Sequence, residues 1–176
     1  MKATDRIFRM TFDTPVGRCG LLYRDRPFLL HKMFLPRQDQ TDLCAEDPDY
    51  KEIPTGRHEP ARRIAQMIQD YFNGKPTRSC RKFLRMDGLT ELQRSVLEET
   101  SKIPFGRLRS YKEIAAAIGR PRACRFVGSA LAKNPFPILI PCHRVIRSDG
   151  KIGFFGGGVE LKRKMIALES GQTGPR

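Results

Sequence analysis

The segment Ile138-Leu139-Ile140-Pro141-Cys142-His143-Arg144-Val145-Ile146 sets one thiol beside one imidazole at the end of an apolar run, with Arg144 and Arg147 flanking them. A lone cysteine is by default a small buried hydrophobe. Positive charge and a nearby imidazole argue otherwise here: they favour the thiolate, the nucleophilic form, and a sulfur anion attacks soft electrophiles such as an alkyl carbon on a base. Adjacent side chains on an extended backbone point to opposite faces, so His143 is expected to reach Cys142 through a water. Glu169 sits near the end of the last helix, just before Gly171, where the helix dipole disfavours an anion unless a partner compensates. An imidazole is such a partner, although from the helix alone a solvated glutamate is the plainer reading.

These groups need a scaffold, and the surrounding pattern predicts a helical one. Thr90 with Gln93 makes a capping box opening a helix that buries Leu92, Val96 and Leu97. Ser110 with Glu113 makes a second box for a short helix through Ile118, closed by Gly119, and Arg120-Pro121 turns the chain into another helix with proline at an early position. Helix, tight turn and helix at this spacing read as a helix-turn-helix. On the second helix Ala123, Phe126, Val127, Ala130 and Leu131 share an apolar face, leaving Arg122, Arg125, Ser129 and Lys133 opposite.

Toward the N-terminus the period changes from helical to alternating. Phe8, Met10 and Phe12, then a Thr14-Pro15-Val16-Gly17 turn, then Cys19, Leu21 and Tyr23 predict a β-hairpin, with Phe28 to Leu35 as a third strand. The Pro36–Pro60 stretch reads as a loop with one more short strand. Ala61, Ile64, Ala65, Ile68, Tyr71 and Phe72 fall at helical spacing before an Asn73-Gly74 stop. Polar, basic Lys75–Gly88 reads as a linker. The expected organisation is an α+β domain over 1–87, with an antiparallel sheet plus helix, and a mostly α domain over 88–176.

Charge points to the partner. The chain of 176 residues carries a formal net charge of +14, and between Lys102 and Arg125 seven basic residues face a single acid, Glu113. Such a surface is either merely solvated or gains affinity for a polyanion through counterion release, and nucleic acid leads the candidates. Tyr111 is open between a core aromatic and a group for a phosphate or base edge. The apolar runs are too short to span a bilayer, and MKATDRIFRM lacks a secretory pattern, so an intracellular protein, cytoplasmic or nuclear in a eukaryote, is expected. Five cysteines without CxxC spacing disfavour both a disulfide framework and a zinc ribbon.

Ile-Pro-Cys-His-Arg-Val-Ile at 140–146, with Asn134-Pro135, Pro104-Phe105-Gly106 and Ser110-Tyr111 upstream, resembles the 6-O-alkylguanine-DNA alkyltransferases, also called methylated-DNA–protein-cysteine methyltransferases. The match runs from about Leu92 to Glu169; farther upstream only the Thr-Pro-Val-Gly turn and a helix position correspond. The resemblance implies an RNase H-like N-terminal domain and DNA repair without a cofactor, by a monomer acting on alkylated guanine in double-stranded DNA from the minor groove. It further implies that Cys142 accepts the alkyl group once, as a permanent thioether. His143 would take the thiol proton through water, Glu169 would fix the imidazole, and Asn134 would tie the helix end to an active-site strand. Tyr111 would rotate the nucleotide and protonate the leaving base, and Arg125 would fill the vacated stack. Lys112, Arg120, Arg122, Ser129 and Ser148 would contact DNA, with 4-O-alkylthymine a possible second lesion. Pro141, Val145, Phe155 and Gly156 would line the pocket.

Three departures carry expectations of their own. Phe155 stands where the family commonly has a tyrosine. The Gly156-Gly157-Gly158 run lacks a side-chain polar group, so the Gly156 N–H is expected to face the guanine oxygen and the loop to accept alkyl groups larger than methyl. Cys19, His31, Cys44, His58 and Cys80 do not reproduce the zinc spacing of some relatives, so no metal is expected. Rival readings are a sequence-reading transcription regulator, a thiol hydrolase with multiple turnover, and a non-catalytic lesion sensor, which would lack the acceptor cysteine.

Overall fold

The computed structural model describes residues 6–36 and 53–171. Cys44 and most of the stretch read as a loop with one short strand lie outside them; at its described end, Thr55 bridges Arg9 in parallel. The chain divides into two compact units, Met1–Arg85 and Met86–Arg176. The whole is an α+β fold, with one three-stranded antiparallel sheet and five α-helices among the described residues.

In the first unit, β1 (Ile7–Thr14) and β2 (Gly17–Arg24) form the expected hairpin, with Thr14 paired to Gly17 across Pro15-Val16. Thr14 Oγ1 donates to the Gly17 carbonyl at 2.6 Å, and Gly17 takes φ +122°, which a side chain would resist. β3 (Leu29–Phe34) completes the order β1-β2-β3, and the central strand buries Cys19, Leu21, Leu22 and Tyr23 in succession because both of its faces are covered. Helix α1 (Glu59–Phe72) packs on β1 and β2 and buries all six residues of its apolar stripe, each contributing about 2 kcal/mol for a large side chain.

The expectation of a linker over Lys75–Gly88 fails in its second half. Arg81–Phe83 forms a 3-10 turn, Cys80 and Leu84 are buried, Leu84 bridges Leu30, and the Arg85 N–H donates to the Leu30 carbonyl at 2.8 Å. Two apolar residues with a sheet edge to cover outweigh the polar composition around them.

In the second unit both capping boxes form. The Gln93 N–H donates to Thr90 Oγ1 and the Thr90 N–H to Gln93 Oε1, opening α2 (Glu91–Ser101). Ser110 and Glu113 do the same for α3 (Tyr111–Ala117), each box typically stabilising by about 1 kcal/mol. Gly119 closes α3 at φ +70°. The next helix, α4, spans Cys124–Ala132; Pro121 lies in the turn before it and not in its first turn as expected, because Ala123 is its N-cap. Val127, Ala130 and Leu131 are buried, while Arg122, Arg125, Ser129 and Lys133 are exposed. Short strands β4 (Arg109–Ser110) and β5 (Val145–Ile146) pair in parallel, and α5 (Val159–Glu169) ends the described fold. Among the described residues no helix is long and apolar enough to cross a membrane.

Candidate active site

The loop after α4 is shaped by Asn134. Its Oδ1 accepts the Phe136 N–H at 3.0 Å, and its Nδ2 donates to the Ile140 carbonyl at 2.8 Å. Within this loop Ile138 adopts φ +71°, an unusual conformation for a β-branched residue, and is wholly buried. Packing over-determines the strained turn. The chain then enters a 3-10 turn over Cys142–Arg144, so the expected active-site strand is a turn. A loop that folds back to satisfy Asn134 cannot remain extended.

Asn134 Nδ2 also lies 3.1 Å from Cys142 Sγ and donates to it. Cys142 is 6% exposed. Burial pushes its thiol up from the ordinary value, against the Asn134 hydrogen bond and the Lys162 charge, which pull down. The flanking positive charge expected to create a thiolate is thus outweighed by desolvation, and the resting group is a thiol that needs a base.

His143 is completely buried, and its Nε2–H donates to Glu169 Oε1 at 2.7 Å. Burial holds the imidazole below its ordinary value despite the carboxylate, so it is neutral. Glu169 is the pairing partner foreseen for an imidazole, and it accepts more than that. Arg144 Nε donates to Oε2 at 2.8 Å, Arg144 Nη2 to Oε1 at 3.0 Å, and the Gly106 N–H to Oε2 at 3.0 Å. Burial alone would raise the carboxyl; the hydrogen bonds from His143 and Arg144 overcome it and bring it to about 2. Gly106 sits at φ +73°, and a Cβ there would meet the Glu169 carbonyl at 2.9 Å. Arg144, expected beside the sulfur, is instead spent on Glu169 and on the Ile103 carbonyl at 2.6 Å.

Sequence reasoning missed Lys162. It is fully buried, donates from Nζ to the Val145 carbonyl at 2.6 Å, and lies 5.8 Å from the Tyr111 ring centroid and 6.0 Å from that of Phe155. Burial lowers its ammonium to about 8, against the pull of Cys142. The signal was present: Leu161, Lys162, Met165 and Glu169 form the buried face of α5, a lysine in an apolar stripe.

Tyr111 is half-buried, and burial raises its phenol, so it is a proton donor at neutral pH. Two glycines give it room. A Cβ on Gly153 would meet Tyr111 Oη at 2.5 Å, and one on Gly128 would touch its ring edge at 3.9 Å. Phe155 is buried with its ring edge-on to His143 at 6.4 Å, Pro141 and Val145 are buried, and Gly156 is exposed.

Apart from half-buried Tyr111, the expected DNA contacts Lys112, Arg120, Arg122, Arg125, Ser129 and Ser148 are exposed. Lys112 and Ser148 share a cavity of about 310 Å³ with Ser110 and Arg147, whereas Arg120, Arg122, Arg125 and Ser129 lie outside it on the turn before α4 and on α4 itself. Of the seven cations counted between Lys102 and Arg125, Lys102 and Arg109 are engaged by Glu99. The cysteines Cys19 and Cys80 are buried thiols, pushed up by burial to about 12 and about 11.

Residues 91–171 match the family model of the 6-O-methylguanine DNA methyltransferase DNA-binding domain. A methylated-DNA–protein-cysteine methyltransferase of Methanosarcina barkeri is 38% identical over 89% of this chain and 93% of its own. One from Mus musculus is 36% identical over 99% of this chain and 86% of its own. Among solved structures, Mycobacterium tuberculosis O6-methylguanine methyltransferase is similar at a TM-score of 0.77 and 30% identity, covering 97% of this chain and 96% of that one. A Mycobacterium tuberculosis OGT in complex with DNA is similar at 0.75 and 31%, covering 94% of each chain. The chain therefore belongs to the family of methylated-DNA–protein-cysteine methyltransferases.

Proposed function

We propose that this protein repairs DNA by moving an alkyl group from the 6-oxygen of guanine in duplex DNA to Cys142 Sγ, once per molecule. The observation that carries the reading is a buried thiol held by Asn134, next in the chain to an imidazole whose far nitrogen is held by Glu169. Cys142 loses its proton through a water to His143 Nδ1. The sulfur then attacks the alkyl carbon, a carbon–sulfur bond forms as the carbon–oxygen bond breaks, and the electron pair leaves with the base. Tyr111 supplies a proton to that base and regains one from solvent. A positioned base and acid are each typically worth about 10²–10⁴ in rate.

A stacked base hides its alkyl carbon from a buried thiol, so the nucleotide must be flipped at a cost of about a few kcal/mol. The exposed cations Lys112, Arg120 and Arg122 offset that cost through phosphate contacts. Read as a helix-turn-helix, α3 and α4 present Arg125 to the vacated stack, with Gly128 and Ser129 small enough to approach a minor groove, whereas Ala130 is buried in the core. Ser148, in the cavity with Lys112, takes a backbone contact. The first unit is read as RNase H-like and the protein as a monomer, with 4-O-alkylthymine a second candidate lesion.

Mass spectrometry after incubation with duplex DNA carrying methylated guanine tests this. One methyl on the Cys142 peptide, absent in Cys142→Ala, is expected. Repeated turnover by one molecule, or a methyl elsewhere, overturns the reading.

A further inference from the structure

Arg144 and Glu169 form a buried, bidentate ion pair inside the site, and the mechanism above makes no use of the arginine. Both carboxylate oxygens are shared: Oε1 takes His143 Nε2–H and Arg144 Nη2, and Oε2 takes Arg144 Nε and the Gly106 N–H. The guanidinium is fixed in turn by the Ile103 carbonyl and stacks 5.7 Å from the Phe105 ring centroid. We propose that Arg144 is a positioning residue that lets Glu169 orient His143 without drawing a proton onto it, so the imidazole stays a base at neutral pH. This deepens the reading of Cys142 as alkyl acceptor and rests on it.

His143 is faced by Cys142 and Arg144 from its own turn and by Glu169 and Lys162 from α5. A lone buried carboxylate at 2.7 Å would favour imidazolium strongly, because Coulomb attraction is little screened there. Pairing that carboxylate with a guanidinium, which never deprotonates, makes the couple nearly neutral as seen from the ring. What remains is a directional acceptor for Nε2–H, which leaves Nδ1 as the nitrogen that takes the thiol proton.

The sign follows. Without Arg144 the imidazole holds its proton to higher pH, so the basic form is scarcer at neutral pH and alkyl transfer slows there while recovering in alkali. Single-turnover methyl transfer from methylated-guanine duplex DNA, followed from about pH 5.5 to 9, compares wild type, Arg144→Lys and Arg144→Met. The acidic limb of Arg144→Met is expected to move up by about one pH unit, roughly tenfold slower on that limb, with rates converging in alkali. Arg144→Lys keeps the charge and restores the limb. A merely structural arginine would instead lower the rate by one factor at every pH, and parallel profiles overturn the proposal.

A measurement on unmodified protein stands independently of whether the variants fold. Imidazole nitrogen NMR at pH near 7 is expected to show His143 as the neutral Nε2–H tautomer, and an imidazolium there overturns the proposal. Absence of methyl on Cys142 in wild type would instead sink the acceptor reading, so the two failures are distinguishable.

Discussion

Asn134 Nδ2 lies 3.1 Å from Cys142 Sγ and, at the same time, 2.8 Å from the Ile140 carbonyl, so one amide group both shapes the loop and holds the thiol. Asn134→Ala removes the partner of a part-buried carbonyl and should cost about 1–3 kcal/mol in stability. It also removes a hydrogen bond that stabilises the developing thiolate. Denaturant unfolding and single-turnover transfer should both show a loss; an unchanged transfer rate would separate the thiol from the amide.

Lys162 is a buried cation whose ammonium is lowered to about 8 from 10.5. The unfolded chain binds the extra proton between these values, so Lys162 costs stability below pH 8, and that cost fades as pH rises toward 10.5. The cost at neutral pH is about 3 kcal/mol, and the hydrogen bond to Val145 offsets about 1 kcal/mol. Lys162→Met should therefore raise the melting temperature at pH 7 while slowing transfer, because the thiolate loses its nearby cation. A variant that is both less stable and fully active would contradict this.

Glu169 works in the opposite direction. Its folded value is depressed to about 2, below the ordinary 4.5, so its contribution is present above the ordinary value and is lost as pH falls through that window. The contribution is about 3 kcal/mol. Glu169→Gln leaves Arg144 buried without a counter-charge and should destabilise by about 3–5 kcal/mol. Urea midpoints measured down the acid limb should fall steeply for wild type and stay nearly flat for the variant.

Arg125 is exposed on α4, and the role proposed for it in the vacated stack requires a duplex. Arg125→Ala should slow repair in duplex DNA by about tenfold or more, since a lost stack partner is worth about 1–3 kcal/mol, and leave reaction with a free alkylated base nearly unchanged. Equal losses on the two substrates would remove its role in the stack.

Phe155 stands edge-on to His143 without a hydroxyl, and the next residue, Gly156, is an exposed glycine. Transfer from benzylated guanine should run within about tenfold of that from methylated guanine, the scale of discrimination a hydrophobic pocket gives. Complete refusal of the benzyl substrate would show the loop to be closed to larger groups.

Local order was legible from the chain alone. Alternation set the hairpin, the six-residue stripe set α1, and both capping boxes were written in consecutive residues, because each depends on partners within a few positions. The Cys142–His143 pair was visible for the same reason, whereas Glu169 entered through the family resemblance, since its helix position alone favoured a solvated side chain. Three features were decided only by the tertiary structure: the left-handed Ile138, the turn at Cys142 and the recruitment of Arg144 away from the sulfur to Glu169. Arg144 and Glu169 are far apart in sequence, and whether a charge meets water or another charge depends on which surfaces the fold closes over. Desolvation is a property of the whole packed interior. It is also what makes Cys142 a resting thiol and His143 a resting base, so the protonation states of this site belong to the fold and not to the motif.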